Sequence, residues 1–125
     1  MEPTLFEATV EVTTDDARIR CIGDLNGRAD AAMAEAYAAA TGSGAPRITL
    51  DFGACGYINS TGIALIVRLL TAARADGRTV RAVGLTEHYR QIFDITRLSD
   101  YMAITDDAPA GVPAGAAATA GGASA

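Results

Sequence analysis

The residues best equipped for chemistry lie together in Tyr57-Ile58-Asn59-Ser60-Thr61-Gly62, a polar turn that opens a long apolar run. Asn59 or Ser60 can supply a side-chain oxygen to cap the first amides of a helix there. The Glu or Gln of a capping box is missing three residues on, where Gly62 and Ile63 stand. A hydroxyl at a helix start has a second use. Phosphorylation would place a charge of roughly −1.5 to −2 beside the positive end of the helix dipole and its unpaired amides, where an anion is tolerated. The domain would stay folded, while a surface complementary to the free hydroxyl would meet a bulky, hydrated dianion and lose affinity. Ser60 is therefore the candidate phosphoacceptor and Thr61 the alternative. Gly62 costs up to about 1 kcal/mol in a helix relative to Ala, and its missing side chain is expected to leave the nearby amides open to an approaching group. The plain alternative, Ser60 as a helix cap with no further role, stays open at this level.

Other chemistries find little support. The Gly53-Ala54-Cys55-Gly56 segment, read as a loop, lacks the Gly-Lys-Ser/Thr of a P-loop and does not fit Gly-x-Gly-x-x-Gly. A hydrolase triad of Ser60, His88 and Asp51 can be drawn, but the strained Gly-x-Ser-x-Gly elbow is absent, and His88 reads as an exposed residue near a helix start. The chain has no lysine, which removes Schiff-base chemistry, and a single histidine cannot build a multi-His metal site. Cys21 and Cys55 lack C-x-x-C spacing and are expected to be reduced, Cys21 in the core. The expectation is a protein without cofactor or metal, and not an enzyme.

Positioning Ser60 requires an α/β scaffold. Leu5 to Val12 and Ala17 to Ile22 alternate like half-buried strands around Thr13-Thr14-Asp15-Asp16, an opening hairpin that ends at Gly23. From about Arg28 to Ala40 the period changes to that of a helix, with Ala32, Met33, Ala36, Tyr37, Ala39 and Ala40 on one stripe before Gly42 and Gly44. Arg47 to Phe52 then reads as a strand joined to the hairpin by a parallel crossover. Ser60 to Asp76 is the strongest helix, its Ile63, Leu65, Ile66, Val67, Leu69, Leu70 and Ala73 turned inward and little beyond Arg68, Thr71 and Arg74 exposed. Thr79 to Val83 is a strand, Thr86 caps a helix over Glu87 to Arg97, and Tyr101 to Ile104 adds a short strand. The fold class is a single α/β domain over 1–107, a mixed sheet of four to five strands packed with three or more helices. The Ala, Gly and Pro-rich remainder, 108–125, is expected to be a disordered tail.

At 125 residues the chain can bury a core without disulfides or metal. Its net charge of −5 repels phosphate backbones, so no direct nucleic-acid binding is expected. Its longest apolar run is far short of the roughly 20 residues that span a bilayer, and no secretory signal is visible at the start, so a cytoplasmic location away from the membrane is expected.

Asn59-Ser60-Thr61-Gly62 after the Leu50-Asp51-Phe52 strand resembles the Asp-Ser-Ser/Thr-Gly signature of the STAS domain family, in whose anti-sigma-factor antagonists the first Ser takes the phosphate. Gly23-Asp24-Leu25-Asn26 stands where that family has a Gly-Glu-Leu-Asp-like loop, and Phe93-Asp94-Ile95-Thr96-Arg97-Leu98 resembles its Phe-x-x-Thr-Gly-Leu ending, so the likeness spans about residues 5–105. The resemblance implies a partner-switching regulator of sigma-factor-dependent transcription. Unphosphorylated, it would bind an anti-sigma factor that is also a serine kinase; phosphorylation at Ser60 would release it, and a PP2C-type phosphatase would reset it. Asp24, Asn26, Asn59, Ser60, Thr61, Gly62 and Ile63 are the implied partner surface. At Asn26 and Asn59 the family's acidic residues are replaced by isosteric amides, which keep hydrogen-bonding capacity but remove negative charge. A phosphate-independent interaction or scaffold module in a signalling assembly is the alternative.

Overall fold

The computed structural model describes residues 5–105, and the expected tail lies outside them. Ten segments follow in order: β1 (Glu7–Val12), β2 (Asp16–Leu25), a 3-10 turn (Gly27–Ala29), α1 (Asp30–Gly42), β3 (Arg47–Ile58), α2 (Ser60–Ala75), β4 (Thr79–Val83), α3 (Glu87–Ile95), a second 3-10 turn (Leu98–Asp100) and β5 (Ala103–Ile104). The strands form one mixed sheet in the order β1-β2-β3-β4-β5. β1 runs antiparallel to β2, with Val10 opposite Ile19, and the remaining pairs are parallel. The opening hairpin and the mixed α/β sheet are as the patterning predicts. Each parallel step passes through a helix and advances one strand in the same direction, so right-handed crossovers gather the helices on one face.

That face is the core. Ala17, Ile19 and Cys21 of β2, Ile48, Leu50 and Phe52 of β3, and Val80 and Ala82 of β4 are buried there against Met33, Ala36 and Ala40 of α1 and Leu65, Ile66, Leu69, Leu70 and Ala73 of α2. Phe93 of α3 closes it with an edge-on contact to Phe52, ring centres 5.9 Å apart. The opposite face is polar. There Asp51 pairs with Arg18 at 3.2 Å and accepts from the Gly53 amide at 2.9 Å. Thr49 donates to Asp16 at 2.7 Å and accepts from Arg81 at 3.0 Å. Thr49 and Asp51 are fully buried beneath these longer side chains.

Several boundaries differ from the sequence expectation. β2 does not end at Gly23 but runs to Leu25, and Gly53 to Gly56 is no loop, because β3 continues through it to Ile58. The reason is pairing with bulges: from Arg20–Asp51 to Ile22–Ala54, and again from Gly23–Cys55 to Leu25–Ile58, β3 uses an extra residue against β2. α1 begins at Asp30, after the 3-10 turn capped by Asn26, and includes Gly42. α3 stops at Ile95 instead of Arg97, since Arg97 adopts a left-handed conformation at φ 67° that terminates the helix. β5 is confined to Ala103–Ile104, and Tyr101 is exposed outside it. Val67, expected inside, is 44% exposed on α2.

Candidate functional site

β2 and β3 end side by side, and their carboxyl ends hold the start of α2. The Leu25 carbonyl accepts from the Asn59 amide at 3.2 Å, so the last residue of β2 ties down the residue that precedes the helix. Asn59 is extended and caps α2, its Oδ1 accepting from the Gly62 amide at 2.8 Å while its carbonyl accepts from Ile63 at 2.9 Å. The cap is therefore Asn59. Ser60 is the first helical residue, exposed, and its hydroxyl has no hydrogen-bond partner among the described residues. Thr61 is exposed beside it and Ile63 half-buried.

Gly62 has a different reason from the one its sequence position suggests. It is buried, and a Cβ on it would lie 2.1 Å from the Leu25 carbonyl oxygen, closer than any real contact. The missing side chain admits the β2 backbone, and the Gly62 amide is already taken by Asn59. Close packing explains this residue without any external ligand.

Asp24 and Asn26 flank the same corner. Asp24 Oδ1 accepts from the Tyr57 amide at 3.0 Å, across the pairing of β2 and β3. Gly56 permits that bond, since a Cβ there would come within 2.5 Å of the same oxygen. Asn26 caps the 3-10 turn, its Oδ1 accepting from the Arg28 amide at 2.9 Å. That turn reaches α2: a Cβ on Gly27 would stand 3.4 Å from Thr61 Cγ2. Asn26 and Asn59 thus perform the same task at neighbouring helix starts, each as a neutral cap.

The sequence reading missed Tyr89. Its phenol oxygen accepts from the Ile58 amide at 2.9 Å and so fixes α3 to the strand end that leads into Ser60. Only the Thr86 cap, which accepts from the Tyr89 amide at 3.2 Å, hinted that this turn of α3 would be rigid. His88 is exposed, its ring 5.1 Å from that of Tyr89. No hydrogen bond joins Ser60, His88 and Asp51 among the described residues, and Asp51 is engaged by Arg18 and Gly53.

Cys55 lies half-buried at the bulged end of β3, opposite Gly23. Burial, and secondarily the Asp24 carboxylate, push its thiol up to about 11. Cys21 is fully buried and its thiol is driven higher still by the same loss of solvation. Both cysteines are free thiols. No group of three metal-ligating side chains occurs among the described residues, and none of their helices is long and apolar enough to cross a membrane.

The same architecture occurs in solved structures. An anti-sigma factor antagonist from Mycobacterium paratuberculosis superposes with a TM-score of 0.69 at 16% identity, over 82% of this chain and 87% of that one. The anti-sigma factor antagonist SpoIIAA in its unphosphorylated form gives 0.64 at 18%, over 83% and 90%. The Bacillus cell fate determinant SpoIIAA in its phosphorylated form gives 0.62 at 19%, over 82% and 93%. At such identities the likeness is one of fold. No curated protein matches the chain in sequence. The sequence family described as "Mlab, STAS domain" matches residues 8–105, from β1 to the end of β5, and the chain belongs to the STAS domain family.

Proposed function

We propose that this STAS domain is an anti-sigma-factor antagonist that binds an anti-sigma factor/serine kinase while Ser60 is free and leaves it when Ser60 is phosphorylated. The observation that carries the proposal is the division of labour at the start of α2. Asn59 caps the helix, so the adjacent Ser60 hydroxyl is exposed, unpartnered and chemically available. A phosphate there adds a dianion without removing any bond that holds the fold, and it alters the surface shared by Asp24, Asn26, Asn59, Thr61 and Ile63. The kinase would supply ATP and Mg²⁺, so the domain is substrate and ligand, not catalyst, and a PP2C-type phosphatase would restore it. Sigma-factor-dependent transcription is the process so controlled, in the cytoplasm.

The test is incubation with ATP and the cognate kinase, followed by peptide mass spectrometry. Phosphate is expected on Ser60 and lost in Ser60→Ala; incorporation that this substitution leaves unchanged rejects the site, and incorporation on Thr61 alone moves it there.

The pair of neutral caps favours a second reading, a phosphate-independent interaction module. Asn26 and Asn59 leave the corner two carboxylates short of the pattern it resembles while preserving both caps. In that case Ser60→Asp and Ser60→Ala bind the natural partner alike, and restoring Asp at 26 and 59 weakens that binding.

A further inference from the structure

We propose that Arg28 is an internal receptor for a phosphate on Ser60, a cation that the unmodified domain leaves unpaired on the turn packed against the start of α2. This rests on the reading of Ser60 as the phosphorylated residue. The turn that carries Arg28 packs on the first turn of α2 through Gly27 and Thr61. Its backbone is fixed from both directions by Asn26, whose Oδ1 accepts from the Arg28 amide at 2.9 Å and whose carbonyl accepts from Ala29 at 2.9 Å. The root of the Arg28 side chain is therefore rigid, and the side chain itself is exposed.

No carboxylate around the corner holds this guanidinium in an ion pair. The guanidinium has no hydrogen-bond or ion-pair partner among the described residues. Asp24 is engaged by the Tyr57 amide at 3.0 Å, and Asp30 of α1 by Arg68 of α2 at 3.0 Å. Asn26 and Asn59 are neutral, with Oδ1 committed to the Arg28 and Gly62 amides. Glu87 and His88 are exposed on the first turn of α3, which Tyr89 joins to Ile58. An arginine fork matches phosphate oxygens bidentately, and such charge-assisted bonds are about twice as strong as neutral ones. Phosphorylation would then order the Arg28 side chain across the Ser60 end of α2, so that the modified corner differs from the free one in shape as well as charge.

The experiment uses the full chain with phosphoserine installed at position 60 by genetic-code expansion, and follows the phosphorus resonance against pH. The second ionisation of the phosphate is expected about half a pH unit or more below its value in a phosphoserine peptide of residues 56–64, ordinarily near about 6. Arg28→Gln should abolish at least half of that displacement, and Arg28→Lys should keep part of it. Unphosphorylated Arg28→Gln should melt like the parent, because the guanidinium has nothing to lose there. Superimposable curves for the parent and Arg28→Gln overturn the proposal, as does a displacement that survives Arg28→Gln and disappears in His88→Gln. Since the phosphate is installed without a kinase, failure here leaves the proposed switch standing if phosphoserine still releases the partner; failure of kinase labelling leaves the titration result standing.

Discussion

At the Ser60 corner, neighbouring side chains with similar chemistry are given different tasks by their bonds. Asn59 and Ser60 are both good caps, and the extended backbone of Asn59 assigns the cap to it. Cys55 shows the same dependence on surroundings. Its thiol reads as a loop cysteine in sequence, yet the strand that continues through it half-buries it and Asp24 stands nearby, so the proton is held to about 11 instead of 9.0. Thiolate is the reacting form, so alkylation at pH 8 should run on the order of a hundredfold slower than for a free thiol and rise about tenfold per pH unit up to the folded ionisation. A stopped alkylation series read by intact mass checks this, and a Cys55 rate equal to that of glutathione at pH 8 contradicts it. The folded state keeps the proton that the unfolded state releases, so the contribution to stability is complete below about pH 9 and is lost as pH rises toward 11.

Elements meet at this corner through backbone, which is why small residues are required there. The end of β2 lies across the start of α2 with Leu25 accepting from Asn59 and pressed against Gly62. Gly62→Ala would raise local helix propensity, yet the new methyl must displace main chain and not a flexible side chain. The expected result is destabilisation of about 2–4 kcal/mol, read as a lower urea midpoint with unchanged slope. A neutral or stabilising Gly62→Ala would mean that the β2 strap yields easily. The α3 end presents the opposite case. Arg97 occupies a left-handed position where the resembling pattern has Gly, and the nearby Asp100 carboxylate lies 3.7 Å from it in an exposed ion pair that contributes little.

On the scale of the molecule, the sheet separates an apolar face under the helices from a hydrogen-bonded polar face. Asp51 is the most demanding member of the polar face, a buried carboxylate held by Arg18 and the Gly53 amide. Asp51→Asn leaves the half-covered Arg18 without its anion in a poorly solvated place, and the expected cost is about 3 kcal/mol in equilibrium unfolding. A loss under about 0.5 kcal/mol would show that water already screens the pair. Alternation in β2, β3 and β4 and the three- and four-residue spacing in α1 and α2 are local properties of the chain. They determined the element order, the apolar face and the place of Ser60 at the head of α2. The continuation of β3 through Gly53 to Gly56, the reason for Gly62, the allotment of the cap to Asn59 and the role of Tyr89 were decided only in the tertiary structure. Each depends on a partner remote in sequence, β2, the Leu25 carbonyl or the Ile58 amide, and residue spacing carries no information about which backbone group will arrive to satisfy or crowd a residue. Ser60 was legible as a hydroxyl at a helix start; that it is exposed and unpartnered followed from the packing around it.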